Sequence, residues 1–268
     1  MMAATTLLPP GRAGQLVAEL GDRARLCDLY GPHGAPIYHD MSLRDTGEVR
    51  HLVGLVRPHP GPVLDLAAGS GRITLPLLAL GREVTALDLS ADMLALLRQQ
   101  LDRAPAHLRE RCTVVQADMA DFRLPRRYAV IVLGTTSISL LDRAGRAGLY
   151  RCVAEHLADG GRFFLTTLDR GADSPEEEVE ITATGASGTA YRLYEHWPAG
   201  ADVRTITVLP SELPDGPVPV CTGHVRVLPP DRLAAELTQA GFTVQQRRTP
   251  LEDAGRHRVT LIEAEIQR

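Results

Sequence analysis

The stretch LDLAAGSG, Leu64 to Gly71, constrains this chain more than any other part of it. Gly61 to Val63 open an apolar run typical of a buried strand, and RITLPLLALG behind the turn reads as a helix ending at Gly81. A strand, a turn carrying Gly69 and Gly71 and a helix N-terminus present outward-pointing backbone N–H groups. The unit therefore predicts an α/β fold that binds a nucleotide or nucleoside.

The rest of the chain extends that unit. Strand-like runs at Val63–Ala67, Glu83–Asp88, Cys112–Ala117, Ala129–Leu133 and Arg162–Leu168 are separated mostly by helical patterns. Ser90 is placed to cap a helix whose Met93, Leu94, Leu97 and Leu101 share one face. Alternation of this kind predicts a doubly wound, mostly parallel sheet. Upstream, residues 12–30 and 43–57 read as two helices. Downstream of Leu168, EEEVEITATG, TAYRLYEHW, DVRTITVLP and CTGHVRVLP are short strand-like runs punctuated by Gly and Pro, with Glu176–Glu178 read as a solvated loop. A helix over Pro230–Ala240 and two strands, Phe242–Arg248 and Arg258–Ile266, close the pattern. Four segments are expected: an N-terminal helical cover (1–58), a cofactor-binding core (59–169), a β-rich insert over the acceptor (170–229) and a C-terminal completion of the core (230–268).

Composition removes several function classes. A net charge of −4 argues against binding a nucleic-acid backbone. The cysteines Cys27, Cys112, Cys152 and Cys221 have no CxxC spacing, which predicts free thiols in a reducing cytoplasm and no metal site. MMAATTLLPP lacks the basic start and long apolar run of a signal peptide, and no apolar run reaches bilayer length, so a cytoplasmic protein without a membrane partner is expected. All 29 basic residues are arginine. Without lysine there is no Schiff base with pyridoxal phosphate and no P-loop lysine.

Three acidic residues narrow the ligand. Read as a dinucleotide fingerprint, the turn lacks its third glycine and carries Thr74 there. Asp88, at the end of the second strand, suits a ribose hydroxyl pair. Asp65 would repel a pyrophosphate but would favour a cationic amino-acid portion, as in S-adenosylmethionine. Asp118 follows the third strand, where it could accept from an adenine amino group while Met93 and Met119 cover the ring. Taken singly, each aspartate could equally be a surface acid or a turn cap. Together, at successive strand ends on one sheet edge, they predict a cofactor site.

VLDLAAGSGRITLPL, VTALDLSADML, VVQADMADF and YAVIVLGTTSISLL, in this order, resemble the successive motifs of class I S-adenosylmethionine-dependent methyltransferases over about residues 60–168. The resemblance implies a seven-stranded sheet whose last strand is antiparallel. It implies S-adenosyl-L-methionine as cofactor, with the methionine portion over the glycine turn, ribose on Asp88 and adenine near Asp118. The cofactor-binding set it implies is Asp65, Ala67, Gly69, Gly71, Asp88, Leu89, Met93, Asp118, Met119 and Gly134. Ala67 stands where the family has its first motif glycine.

The acceptor is read from less specific features. The Pro-Pro-aromatic stretch and Pro-Cys nucleophile of base-modifying relatives are missing. The insert and LCDLYGPHGAPIYHDMSLRD resemble natural-product N-methyltransferases that dimethylate amines. The expected substrate is a small-molecule or peptide amine, foremost the N-terminal amine of a daptide-type ribosomal peptide. N-methylation of a deoxyamino sugar nucleotide and O-methylation of another small molecule are alternatives. A nicotinamide-dependent oxidoreductase and a non-catalytic scaffold are more distant ones. An amine must be neutral to react, which makes Tyr38, His196 and His224 candidate catalytic groups, and Tyr30, Tyr38, His39 and Ser137 candidate substrate contacts. Any one of these side chains could also be a packing or surface residue.

Overall fold

The computed structural model describes residues 8–44, 46–169, 175–248 and 258–267. The start of the N-terminal segment, residues 1–7, and of the insert, residues 170–174, lie outside the described residues. In chain order the elements are α1 (Gly11–Leu20), β1 (Ala24–Asp28), α2 (Gly34–Ser42), α3 (Gly47–Val56), β2 (Val63–Leu66), α4 (Thr74–Ala79), β3 (Val84–Asp88), α5 (Ala91–Arg103), α6 (Ala106–Arg109), β4 (Cys112–Gln116), β5 (Tyr128–Leu133), α7 (Arg143–His156), β6 (Leu157–Asp169), β7 (Glu177–Thr184), β8 (Ala190–Trp197), β9 (Val203–Pro210), β10 (Val218–Arg226), α8 (Pro230–Gln239), β11 (Phe242–Arg248) and β12 (Arg258–Ile266). They form two compact units, Met1–Arg44 with Ala172–Arg226, and Asp45–Gly171 with Val227–Arg268. No helix among the described residues is long and apolar enough to cross a membrane.

The second unit is the expected doubly wound domain. Its seven strands run in the order β11-β12-β6-β5-β2-β3-β4, all parallel except β12, which is antiparallel to both neighbours. Every side chain of β2 is buried, as a strand covered on both faces requires. Local chemistry sets the helix ends. Ser90 Oγ accepts from the Met93 N–H at 3.1 Å and Asp142 Oδ1 accepts from the Gly145 N–H at 2.8 Å, starting α5 and α7. Gly81, at φ +84°, ends the α4 turn, and Arg82 N–H reaches back to the Leu77 carbonyl. Met93, Leu94, Leu97 and Leu101 are the buried face of α5, as their spacing predicts.

The first unit is a five-stranded sheet, β1-β10-β9-β8-β7, antiparallel except for the parallel pair β1–β10. Here the sequence reading is corrected. The helix expected over residues 12–30 stops at Leu20, where Gly21 turns to φ +53°, and β1 follows. That strand lies at the sheet edge and takes its ladder from β10, far along the chain. Cys27 and Cys221, directly opposed on the two strands, hold their Sγ atoms 2.7 Å apart. The helix expected over 43–57 is α3, and it belongs with the second unit and not with the N-terminal segment. Glu178, expected in a solvated loop, lies on β7 and accepts the Arg12 N–H at 2.6 Å, next to the start of α1.

Candidate active site

In the seven-stranded sheet the chain steps from β2 to β3 and β4 on one side, then returns to place β5 on the other. Ligands of such sheets bind at this reversal, beyond the carboxyl ends of the strands. The turns that follow β2, β3 and β5 supply its walls.

The turn after β2 is built from left-handed backbone. Ala67, Gly69 and Gly71 have φ of +51°, +55° and +94°. Left-handed geometry costs an L-residue about 1–2 kcal/mol, so Ala67 carries a strain that a glycine would not. A side chain on Gly71 would bring its Cβ within 2.5 Å of Leu97 Cδ1 on α5. At Gly69 the nearest atom is the flexible end of Met93, at 3.0 Å. Gly71 therefore answers to the chain's own packing as well as to φ, whereas Gly69 is held to glycine mainly by its backbone.

The three aspartates take different positions. Asp88 Oδ2 accepts the Gly69 N–H and Oδ1 the Ser90 N–H, both at 2.8 Å. The Leu89 backbone N–H also bonds this carboxylate, so three backbone groups orient it at the end of β3. Burial pushes its pKa upward against those backbone bonds. Asp65 is fully buried. Its Oδ2 accepts from Thr74 Oγ1 at 2.6 Å, tying the end of β2 to the start of α4, while Oδ1 has no hydrogen-bond partner. Burial, with the charge of Asp88 adding to it, pushes the Asp65 carboxyl up to about 7. Asp118 is exposed, and its Oδ1 caps its own turn by accepting the Ala120 N–H at 2.8 Å. Met93 and Met119 are both buried among the chain's own side chains, whereas Leu89, beside Asp88, is 67% exposed.

The turn after β5 holds residues that the sequence did not single out. Thr135 and Thr136 are consecutive left-handed residues, φ +55° and +54°, and neither is glycine. Left-handed backbone is rare for a β-branched side chain and persists only where surroundings hold it. Glu48 on α3 does so. Its Oε1 accepts the Thr135 N–H at 2.6 Å and the Thr166 hydroxyl at 2.8 Å, and Thr166 Oγ1 in turn accepts the Thr136 N–H at 2.9 Å. Glu48 Oε2 lies 3.7 Å from the guanidinium of Arg72 in the glycine turn. Gly134 is buried, and a Cβ there would strike Ile73 at 2.4 Å and Leu52 at 3.0 Å, so packing explains this glycine. Ser137 is buried too, its hydroxyl 2.9 Å from that of Thr135.

A family model described as a methyltransferase domain matches residues 63–161. The solved structure of the glycopeptide N-methyltransferase MtfA complexed with sinefungin is 38% identical, covers 97% of this chain and 98% of its own, and superposes with a TM-score of 0.70. This chain belongs to the class I S-adenosylmethionine-dependent methyltransferases. MtfA has also been solved with S-adenosyl-L-methionine and with S-adenosyl-L-homocysteine. Among curated relatives, an rRNA adenine N-6-methyltransferase of Corynebacterium diphtheriae is 32% identical over 38% of this chain and 38% of its own length. The dTDP-3-amino-3,6-dideoxy-alpha-D-glucopyranose N,N-dimethyltransferase of Streptomyces fradiae is 33% identical over 55% and 54%. The methyltransferase thus spans about half or less of the length of these curated relatives.

Its cofactor is S-adenosyl-L-methionine. Asp88 stands at the end of β3, held against the glycine turn, and Leu89 offers an exposed apolar surface beside it. Asp65 is enclosed, so it serves the methyltransferase by fastening Thr74 and the turn above it.

The acceptor-side candidates of the methyltransferase lie in its first unit, apart from Ser137, and do not form one group. Directly opposed residues of neighbouring strands point to the same side of a sheet, and residues an odd number apart on one strand point to opposite sides. His196 and His224 both oppose Thr205, from β8 and β10. They share the side on which α1 buries Ala13, Val17 and Leu20 against Tyr194, Leu209 and Val220. Cys221, Val208 and Leu193 share the other side, where Ile37 of α2 packs and where Tyr30 and Tyr38 meet edge to face with ring centroids 5.2 Å apart. The expected catalytic set of Tyr38, His196 and His224 is therefore divided between two faces. His39 follows Tyr38 on α2 and is half-buried.

Proposed function

We propose that this methyltransferase methylates an amine of a peptide natural product, in its specific form the N,N-dimethylation of the N-terminal amine of a daptide-type ribosomal peptide. The observation that supports an amine acceptor is the near full-length likeness to an enzyme described as a glycopeptide N-methyltransferase. A second reading, N-methylation of an amino-sugar nucleotide, rests on partial likeness to two dTDP-amino-sugar N,N-dimethyltransferases of Streptomyces.

The cofactor supplies an electrophilic methyl group on sulfur. The task left to the chain is to hold the ribose through Asp88, orient the acceptor nitrogen and exclude water. The nitrogen must also be neutral, so its proton passes to a side chain or to water. Two groupings are available in the first unit: His196 with His224 across Thr205, and Tyr30 with Tyr38. A deprotonated secondary amine still has a lone pair, which permits a second transfer, whereas an oxygen acceptor stops after one.

The test is mass spectrometry of two probes, a synthetic peptide with a free N-terminal amine and an amino-sugar nucleotide, each incubated with enzyme and S-adenosyl-L-methionine. Two added methyl groups on the peptide are expected. Two on the sugar alone favour the second reading. Single methylation of phenols or carboxylates, with neither amine reacting, would defeat both while leaving the family assignment intact.

A further inference from the structure

We propose that Glu48 is a positioning residue that joins the two lips of the cofactor crevice. The inference rests on the cofactor assignment and is independent of the acceptor.

One lip is the glycine turn after β2, which carries Arg72, and the other is the turn after β5, which carries Thr135 and Thr136. Side chains of the two turns have no common backbone ladder beyond their strands, so something must set their separation. Glu48 reaches both. Its Oε1 takes the Thr135 N–H and the Thr166 hydroxyl, its Oε2 faces the Arg72 guanidinium, and both the carboxylate and the guanidinium side chains are only about 15% exposed. Thr166, fully buried on β6, relays the hold to the Thr136 N–H. Two adjacent β-branched residues at positive φ would relax toward ordinary backbone if those bonds were removed. Relaxation would move the wall of the crevice at the strand reversal, where ligand position is decided. Glu48 acts through Thr135, Thr136 and Arg72.

The test compares Glu48→Ala, Glu48→Gln and Thr166→Val, each kept at a temperature where circular dichroism reports native structure. Two quantities are read: amide hydrogen exchange of the segment 134–137, and the affinity for S-adenosylhomocysteine by calorimetry. Glu48→Ala is expected to speed exchange in that segment at least tenfold and to weaken S-adenosylhomocysteine at least tenfold. Glu48→Gln keeps an oxygen for Thr135 and Thr166 and should recover most of both, to within about threefold of the parent. Thr166→Val should shift both in the same direction by less. A stabilising residue with no positioning role would lower the melting temperature and leave the affinity of the folded protein alone. Unchanged affinity in Glu48→Ala, whatever the exchange rate, overturns the proposal. If Glu48→Ala does not fold, the same null result in Thr166→Val overturns it.

Discussion

Gly69 donates its backbone N–H to Asp88 Oδ2 across 2.8 Å, so the carboxylate at the end of β3 is fastened to the turn at the end of β2. The bond orients Asp88 before any ligand arrives, which lowers the cost of ordering it on binding. Asp88→Ala is expected to leave the fold intact and to weaken S-adenosylhomocysteine about tenfold to a hundredfold, the range for losing charge-assisted hydrogen bonds of about 1.5–3 kcal/mol. Calorimetry reads this directly. Unchanged affinity would remove Asp88 from the site.

Ala67 sits at φ +51° where the family resemblance places a glycine. Ala67→Gly should relieve the left-handed strain and stabilise the protein by about 1 kcal/mol, after allowing for the greater freedom of glycine in the unfolded chain. Denaturant unfolding with an unchanged m-value is the measurement. A loss of stability would mean that the Ala67 methyl makes contacts worth more than the strain.

Glycines 69 and 81 separate binding from folding. Gly69→Val should abolish cofactor binding, because a branched side chain at that φ is strained, its Cβ would press on Met93 at 3.0 Å and its methyl groups would stand in the turn. Gly81→Ala, at a helix end where an added Cβ meets only Arg111 at 3.6 Å, should cost about 1 kcal/mol of stability and leave affinity unchanged. Equal affinities in the two variants would make the first turn purely structural.

Asp65 links stability to pH. Its carboxyl is raised from an ordinary value near 3.8 to about 7 in the folded protein, so the folded state binds that proton more tightly than the unfolded chain does. The resulting stabilisation is complete below the unfolded pKa and is lost as pH rises through about 7. Between pH 5 and pH 8 the parent should lose stability that Asp65→Asn does not. Parallel pH profiles for the two proteins would contradict the assignment.

The division of His196 and His224 from Tyr30 and Tyr38 predicts that only one grouping shapes the pH dependence of turnover. Single alanine variants at the two histidines and phenylalanine variants at the two tyrosines, assayed from pH 6 to 9 on whichever amine probe reacts, distinguish them. Altered profiles on both faces would contradict the sheet geometry as a guide to the acceptor site.

Much of the core was legible because its determinants are local. The apolar run of β2, the Ser90 cap and the four-residue face of α5 each depend on neighbours within a few positions, and each appears in the structure. β1 was hidden for the opposite reason: ARLCD becomes a strand by pairing with Val218–Thr222, far along the chain. At the site, the three aspartates were found by their strand-end positions, but position alone did not reveal that Asp65 would be sealed beneath Thr74 and Asp118 turned to its own loop. Glu48 gave no distinguishing signal, since an acid in the first turn of a helix is ordinarily accounted for by the helix dipole. Strand parity could have separated His224 from Cys221, three residues apart on β10, had the strand register been known.

The place of β12 bears on how the chain is made. It follows every other described strand in chain order, yet it lies between β11 and β6, so β6 emerges with Phe163, Phe164 and Leu165 lacking a neighbour on one edge while all of β7 to β10 is still being translated. In the first unit β1 likewise waits for β10. Neither sheet can close progressively behind the ribosome, and the nascent chain must carry open apolar strand edges until β10 and β12 have emerged, the condition under which chaperones are most needed.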